Sequence, residues 1–425
     1  MKAVVIGCGV IGVTTAYLLR QRGHDVLVLE RREGAGLETS FANGALLTPS
    51  MPEPWNTPGC WRVLLASLGR SDAALQLRWG AIPSLGRWGV AFLRNSGRER
   101  FRQNTLNNVR LALYSLEAMK ALREETGIEY ARTARGSLKI FRDRATLDRA
   151  VAAAQHLAVE GLSFRALSRQ ETVDLEPALA PIETQLAGAI HYEKDETGDA
   201  YRFCVGLAER ARAQGVEFRF GAAVSSLEAG AREIKAIRVG QERIVADCYI
   251  VAGGSYSAPL LEPIGLRIPV RPAKGYSVTL ERSPVEPSLS VPVVDDDFHA
   301  AIVPFGEGLR VAGTAEFAGY DLALRPERMR NLLKLLQHVL PGVRVDPAAV
   351  RAWCGLRPMS CDGVPIIGGT KLRNLFVSTG HGHLGWTMAA GSAQLLVDLI
   401  CGTVPGIEPE PYSARRFYGS RQTGV

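Results

Sequence analysis

The sequence predicts an α/β fold with two units: a parallel-sheet unit assembled from discontinuous segments, and a second unit with a mixed β-sheet and flanking helices. Three observations carry this. The chain opens on a strand, a glycine-rich turn, a helix and a second strand. A second glycine-rich junction between strand and helix stands near residue 380. Between about 267 and 320 the chain reads as consecutive strands, so a strand-rich insertion separates the two glycine-rich ends.

Residues 3–6 are a continuous apolar run, the signature of a parallel strand buried on both faces. The run enters Gly7-Cys8-Gly9-Val10-Ile11-Gly12, and an apolar helix pattern follows through Val13, Ala16, Tyr17 and Leu19. A second strand, 26–29, ends on Glu30, 18 residues beyond Gly12. Each part has a reason in dinucleotide binding. Gly7 permits the tight turn, Gly9 lets backbone approach a pyrophosphate, and Gly12 lets the helix pack on the sheet. Glu30 stands where a carboxylate reaches ribose hydroxyls, and it would repel a 2′-phosphate.

The 425 residues are 46% hydrophobic and 22% charged, with 50 Lys and Arg against 43 Asp and Glu. A formal charge of +7 spread over this length is far from the dense basic stripe of a nucleic-acid binder. No apolar run approaches the ~20 residues of a membrane-spanning helix, and no secretory signal fits the start of the chain. The seven cysteines form no CxxC pair, which argues against a disulfide framework or a metal site and suits a reducing cytoplasm.

Residues 39–59 read as an ordered loop, and 85–126 as helical. The arginines at 87, 94, 98, 100, 102 and 110 lie around an apolar face of Leu85, Trp88 and Phe92. A solvated helix packed on its own domain is the preferred reading, with peripheral contact to a membrane as the alternative. Strands are expected at 137–141, 216–220, 249–252 and 375–378, and helices near 145–160, 199–214, 326–339 and 385–401. The expected boundaries place 1–84, 188–266 and 352–425 in the nucleotide domain, and 85–187 and 267–351 in the substrate domain. The second glycine junction, Gly380-His381-Gly382-His383-Leu384-Gly385, suits a flavin, because a helix N-terminus stabilises negative charge on the reduced ring.

The words Glu38-Thr39-Ser40-Phe41-Ala42-Asn43, Asp195-Glu196-Thr197-Gly198-Asp199 and Gly254-Ser255-Tyr256-Ser257 run through the chain. Lys274-Gly275-Tyr276-Ser277, Gly355-Leu356-Arg357-Pro358-Met359 and Leu384-Gly385-Trp386-Thr387-Met388-Ala389 continue the series. On these words the whole chain resembles the FAD-dependent D-amino-acid dehydrogenase small-subunit family, within the D-amino-acid oxidase, glycine oxidase and sarcosine oxidase superfamily. The resemblance implies a Rossmann-like FAD-binding domain in three segments, with FAD held non-covalently. It assigns Gly7, Gly9, Val10, Ile11, Gly12, Glu30 and Arg31 to the ADP end, and Ser40, Asn43, Gly44 and Ala45 to the ribityl chain and ring. Val224 would meet adenine, Gly253 the pyrophosphate, and His381, Gly382, Gly385 and Thr387 the pyrimidine edge. The implied chemistry is oxidative deamination of a D-amino acid, with electrons passed to a quinone or another acceptor. An oxidase releasing peroxide and a non-catalytic flavoprotein subunit of a membrane complex are the alternatives.

An amino-acid substrate brings a carboxylate, which a planar guanidinium fixes bidentately; Arg357 is the candidate by residue type and by the resemblance. Tyr276 is read either as a second donor to that carboxylate or as a core tyrosine. Hydride loss from Cα requires a neutral amine, which makes His299, His381 and His383 candidates for the pocket, His383 foremost. Relatives tend to carry Gln and Tyr where this chain has Leu46 and Met51, so the pocket is expected to favour a less polar substrate or a cyclic secondary amine of the D-proline type.

Overall fold

The computed structural model describes residues 1–67, 75–280, 289–298, 300–306 and 308–417. Among them, strands Ile366–Gly369, Leu375–Thr379, Cys248–Val251, Lys2–Ile6, Asp25–Leu29 and Glu217–Arg219 lie side by side in that order. All neighbours are parallel except the first pair. Lys2–Ile6 sits between Asp25–Leu29 and Cys248–Val251, which explains why its apolar run is unbroken: both faces are covered. Helices Val10–Gln21, Ala200–Ala213 and Ala389–Cys401 cover one face. A small sheet of Val224–Ala229, Ile234–Val239 and Glu242–Ile244 covers the other. The helix–strand approach is close at Gly12, where an added Cβ would lie 1.9 Å from the Gly7 carbonyl oxygen.

The larger sheet runs Val350–Ser360, Val270–Leu280, Gly308–Phe317, Ala300–Phe305, Val293–Asp295, Ser137–Phe141, Gly188–Tyr192 and Arg165–Leu167, with Leu75–Leu77 added to Gly308–Phe317. Helix Pro326–Val339 packs its Leu332, Leu335, Leu336 and Val339 against one face. The segments alternate between the two sheets along the chain, so neither sheet is continuous in sequence.

Three expected boundaries differ from the observed pairing. Gly188–Tyr192 pairs with Ser137–Phe141 in the larger sheet rather than joining the nucleotide sheet, and Leu75–Leu77 does the same with Gly308–Phe317. Val350–Ser360 remains in the larger sheet to its last residue. Helix Arg98–Thr126, expected with the substrate unit, packs Leu111, Ala112, Met119 and Leu122 into the core of the nucleotide sheet, close against Ala389–Cys401. The arginine-rich stretch is two helices, Ile82–Arg94 and Arg98–Thr126, divided at Asn95-Ser96-Gly97.

Candidate active site

A cavity of about 1220 Å³ runs from the first glycine turn to the face of the larger sheet. Substrate pockets usually enclose roughly 300–1,000 Å³, so this one has room for a cofactor and a substrate together. At its nucleotide end Gly7, Gly9, Val10 and Ile11 line the wall with Glu30, Arg31 and Val224. The Glu30 carboxylate, which lines the cavity, is fixed by the Cys8 N–H at 2.7 Å and the Arg32 N–H at 2.9 Å, one on each oxygen. Arg31 pairs with Glu38 and stacks on Tyr256, 3.6 Å from the ring centroid. The Ser40 Oγ accepts from the Val10 N–H at 3.2 Å, holding the start of the following loop against the first helix. Asn43, Gly44, Gly253, His381, Gly382 and Gly385 line the middle of the cavity.

Arg357 stands at the far end. Its strand, Val350–Ser360, is antiparallel to Val270–Leu280, with Ala273 opposite Arg357 and Gly275 opposite Gly355. The guanidinium lies across Gly275, where an added Cβ would come within 2.3 Å of its Cζ. Nη1 donates to the Thr314 carbonyl at 3.1 Å, and Cζ sits 5.5 Å from the Trp55 ring centroid. Thr314 has a positive φ of 53° and is the extra residue of a bulge, since Gly275 faces Ala315 and Tyr276 faces Gly313. Among the described residues no carboxylate lies within ion-pair distance of Arg357. Asp362, the structural partner that the sequence suggests, is taken by Arg416 at 2.8 Å. Burial pulls the guanidinium down to about 10, so it stays cationic at neutral pH while lacking a counter-ion. The hydroxyls of Thr39 and Ser255 both donate to the Leu356 carbonyl, at 2.9 and 3.0 Å, and tie this strand to the nucleotide unit.

Residues 2–399 match the model of the DAO family, described as FAD dependent oxidoreductase. The chain belongs to this family. It is 43% identical over 422 residues to a D-amino acid dehydrogenase of Paramagnetospirillum magneticum, covering 98% of this chain and 99% of that one. Among solved structures it is similar to L-proline dehydrogenase from P. horikoshii, at a TM-score of 0.77 and 19% identity, covering 98% and 97% of the two chains. It is also similar to glycine oxidase from Geobacillus kaustophilus, at a TM-score of 0.76 and 24% identity, covering 100% and 99%. The cofactor of this oxidoreductase is FAD, and the residues fit it: a glycine turn and a buried carboxylate at one end of a long cavity, and a second glycine turn near the substrate wall.

Not every expected residue of this FAD-dependent oxidoreductase lies on the cavity wall. Gly12 acts behind the wall, in helix–strand packing. Ala45 is buried, with a positive φ of 55°, and its N–H donates to the Asn43 side chain at 2.9 Å. The Thr387 hydroxyl accepts from the Thr48 N–H at 3.0 Å and supports the wall from inside the protein. His299 lies outside the described residues.

Of the two readings of Tyr276, the geometry favours the core tyrosine. Strand alternation places it, with Cys354 opposite, on the face turned away from Arg357 and Gly275. There it packs beneath helix Pro326–Val339, and its hydroxyl donates to Glu316 at 2.5 Å. Glu316 also pairs with Arg78 and with the fully buried Lys274. The phenol's one proton is committed, so it is not available to a substrate carboxylate. Cys354 points the same way and contacts the Leu322 carbonyl at 3.1 Å.

His381 and His383 are both neutral. Burial takes His381 down to about 3, and its Nε2 shares a hydrogen bond with Ser392 at 3.0 Å. Burial, with a smaller contribution from Arg357, takes His383 down to about 4. The His383 Nε2 donates to the Met51 carbonyl at 3.2 Å, which leaves Nδ1 without a proton, and the ring stacks on Trp55 at 5.7 Å. Leu46 and Met51 form an apolar wall with Val294 and Ala301, and Ala45 packs behind it. Sequence reasoning gives no role to Trp55 and Glu53, which share that loop, nor to Asp195, whose carboxylate accepts from the Ser50 and Ser137 hydroxyls at 2.5 Å and anchors the loop to the larger sheet. Burial pushes the Asp195 carboxyl up to about 7.

Gly275→Ala displaces the guanidinium without touching the cofactor end; the expected result is normal FAD content with a KM for substrate raised by about 100-fold. An unchanged KM would mean that Arg357 does not hold the substrate. A pH profile probes His383. Above about pH 4 its ring is already neutral, so His383 does not give the rise of kcat/KM at neutral and alkaline pH, and the substrate ammonium is the group expected to give it. His383→Thr should leave that rising limb in place while altering the substrate ranking; a shift of the limb by a full pH unit would assign His383 the proton.

Proposed function

We propose that this FAD-dependent oxidoreductase oxidises D-amino acids. The observation that carries this reading is Arg357, a cationic guanidinium with no carboxylate partner among the described residues, presented to the cavity over Gly275. A substrate carboxylate supplies the missing counter-ion, and the planar donor pair orients Cα. The D configuration rests on the 43% identity to a D-amino acid dehydrogenase.

Bound FAD supplies the two-electron acceptor for the hydride that leaves Cα. The protein's part is positioning and solvation. Arg357 fixes the carboxylate, the neutral His383 offers only an acceptor, and Leu46 and Met51 present apolar surface to the side chain that passes them. As Cα–H departs with its electron pair, the amine lone pair forms C=N; water then converts the imine to a 2-oxo acid and ammonia, or a secondary cyclic amine yields a cyclic imine.

The acceptor in this reading is a membrane quinone, reached by peripheral contact from the cytoplasmic side. No helix among the described residues is long and apolar enough to cross a membrane. Helices Cys60–Ala66 and Ile82–Arg94, with Trp79 beside them, nevertheless expose Trp61, Val63, Leu65, Trp79, Val90 and Leu93. Arg62, Arg87 and Arg94 belong to the same two helices, a combination suited to an anionic bilayer surface.

Anaerobic mixing of the holoenzyme with D- and L-amino acids, including proline and hydroxyproline isomers, should bleach the flavin with D isomers. Arg357→Gln should lower kcat/KM by about 100-fold, the worth of ~3 kcal/mol of charge-assisted hydrogen bonding. Bleaching by L isomers alone would overturn the assignment. Sedimentation with phosphatidylglycerol vesicles should carry the protein down, and Trp61→Ser with Trp79→Ser should release it. Equal recovery with phosphatidylcholine vesicles, or no effect of the double substitution, would remove that surface from the mechanism.

A further inference from the structure

The loop that carries Met51 also brings an unpaired carboxylate into the cavity. From Met51 to Asn56 burial alternates: Pro52, Pro54 and Asn56 are buried, while Met51, Glu53 and Trp55 are only partly so and line the cavity. Such a period of two is that of extended chain, and the two prolines hold it there. Trp55 lies beneath Arg357 and against His383. Glu53 stands two positions before Trp55, which in extended chain is ~7 Å along the wall, about the reach of an unbranched four-carbon side chain.

The charges at that end are unbalanced. Lys139 pairs with Asp296 at 2.6 Å, and Arg142 pairs with Asp295 at 2.6 Å and stands 3.7 Å from Asp297. Glu53 has no side-chain partner among the described residues. Burial raises its carboxyl above the ordinary range, Lys139 and the residue's own backbone N–H oppose this, and Asp296 adds to it. A bound side chain that covered Glu53 without donating to it would strip water from a carboxylate and return nothing. A methylene stem ending in a donor satisfies both the apolar wall and its end.

We propose that Glu53 determines specificity at this site by selecting D-amino acids whose side chain ends in a hydrogen-bond donor, an ammonium above all. This rests on the D-amino-acid reading above. Arg357 and Glu53 then hold the two ends of a dipolar ligand, with the α-amine between them near the neutral His383. The sequence-based expectation of a less polar or cyclic substrate rests on Leu46 and Met51 alone and leaves Glu53 out of account.

D-lysine and D-norleucine differ chiefly in the terminal ammonium, so their ratio isolates Glu53. The holoenzyme should favour D-lysine by at least ten-fold in kcat/KM. Glu53→Leu should reverse the order and Glu53→Gln should erase most of it, mainly through KM; retained D-norleucine turnover shows that each variant is folded. Calorimetric binding of 6-aminohexanoate against hexanoate reads the same contact without turnover. The aminated acid should bind the holoenzyme at least ten-fold more tightly, and Glu53→Leu no more tightly than hexanoate. A D-norleucine preference in the unmodified enzyme, or ratios unmoved by Glu53→Leu, would overturn the role of Glu53. If no D-amino acid reduces the flavin, the functional reading falls, while the two hexanoates still decide for or against Glu53.

Discussion

The site depends on keeping one cation desolvated and unpaired. Arg357 donates to a single described backbone carbonyl, that of Thr314, and its depression to about 10 corresponds to roughly 3 kcal/mol of unfavourable burial. Several features of the larger sheet exist around that arrangement. Gly275 leaves the space that the guanidinium fills, and the bulge at Thr314 turns a carbonyl toward it. The Leu356 carbonyl is clamped by two hydroxyls from the nucleotide unit. Stability is surrendered locally so that a carboxylate restores it on binding, and binding energy is thereby concentrated beside the atom that reacts.

That arrangement also requires two sheets, because one guanidinium must face a ring held by another unit. The parallel sheet presents strand ends and a helix N-terminus, which suit a pyrophosphate, while the larger sheet presents a flat face with alternating side chains. Exchanging segments between the sheets several times along the chain fixes their relation without a flexible linker. The loop 48–57 serves the same end: Asp195 anchors it at Ser50, Asn108 donates to the Pro52 carbonyl at 2.9 Å, and Asn56 donates to the Cys361 carbonyl at 3.3 Å.

How far the sequence revealed this follows from which forces are local. Gly7 to Glu30 is legible because strand, turn, helix and acid all lie within one short segment whose spacing carries the chemistry. Arg357 is legible as a residue type within a recognisable word. Tyr276 is not, because the strand Val270–Leu280 is buried almost throughout, and a strand covered on both faces shows no alternation to say which residues share a side with Arg357. Only the register with Val350–Ser360 decides it. Helix Arg98–Thr126 misleads for a related reason: its composition is that of a solvated helix, and its buried stripe is visible only once its neighbours are known. Glu53 is hidden by context, being a charged residue in a proline-rich loop that sequence alone places on the outside.

The remaining step is the neutral amine, and the charges around it argue against a protein base. An α-ammonium would have to give its proton to a His383 ring held at about 4, far below any α-amine, so the transfer runs uphill. His381 is no better placed, since its ring is buried and bonded to Ser392. The site instead discriminates at entry. Desolvation disfavours the ammonium and the Arg357 guanidinium is a like charge beside it, while Nδ1 of His383 can accept an N–H from the bound amine without taking its proton. Deprotonation then belongs to the solution equilibrium, and neither histidine ring takes part in it.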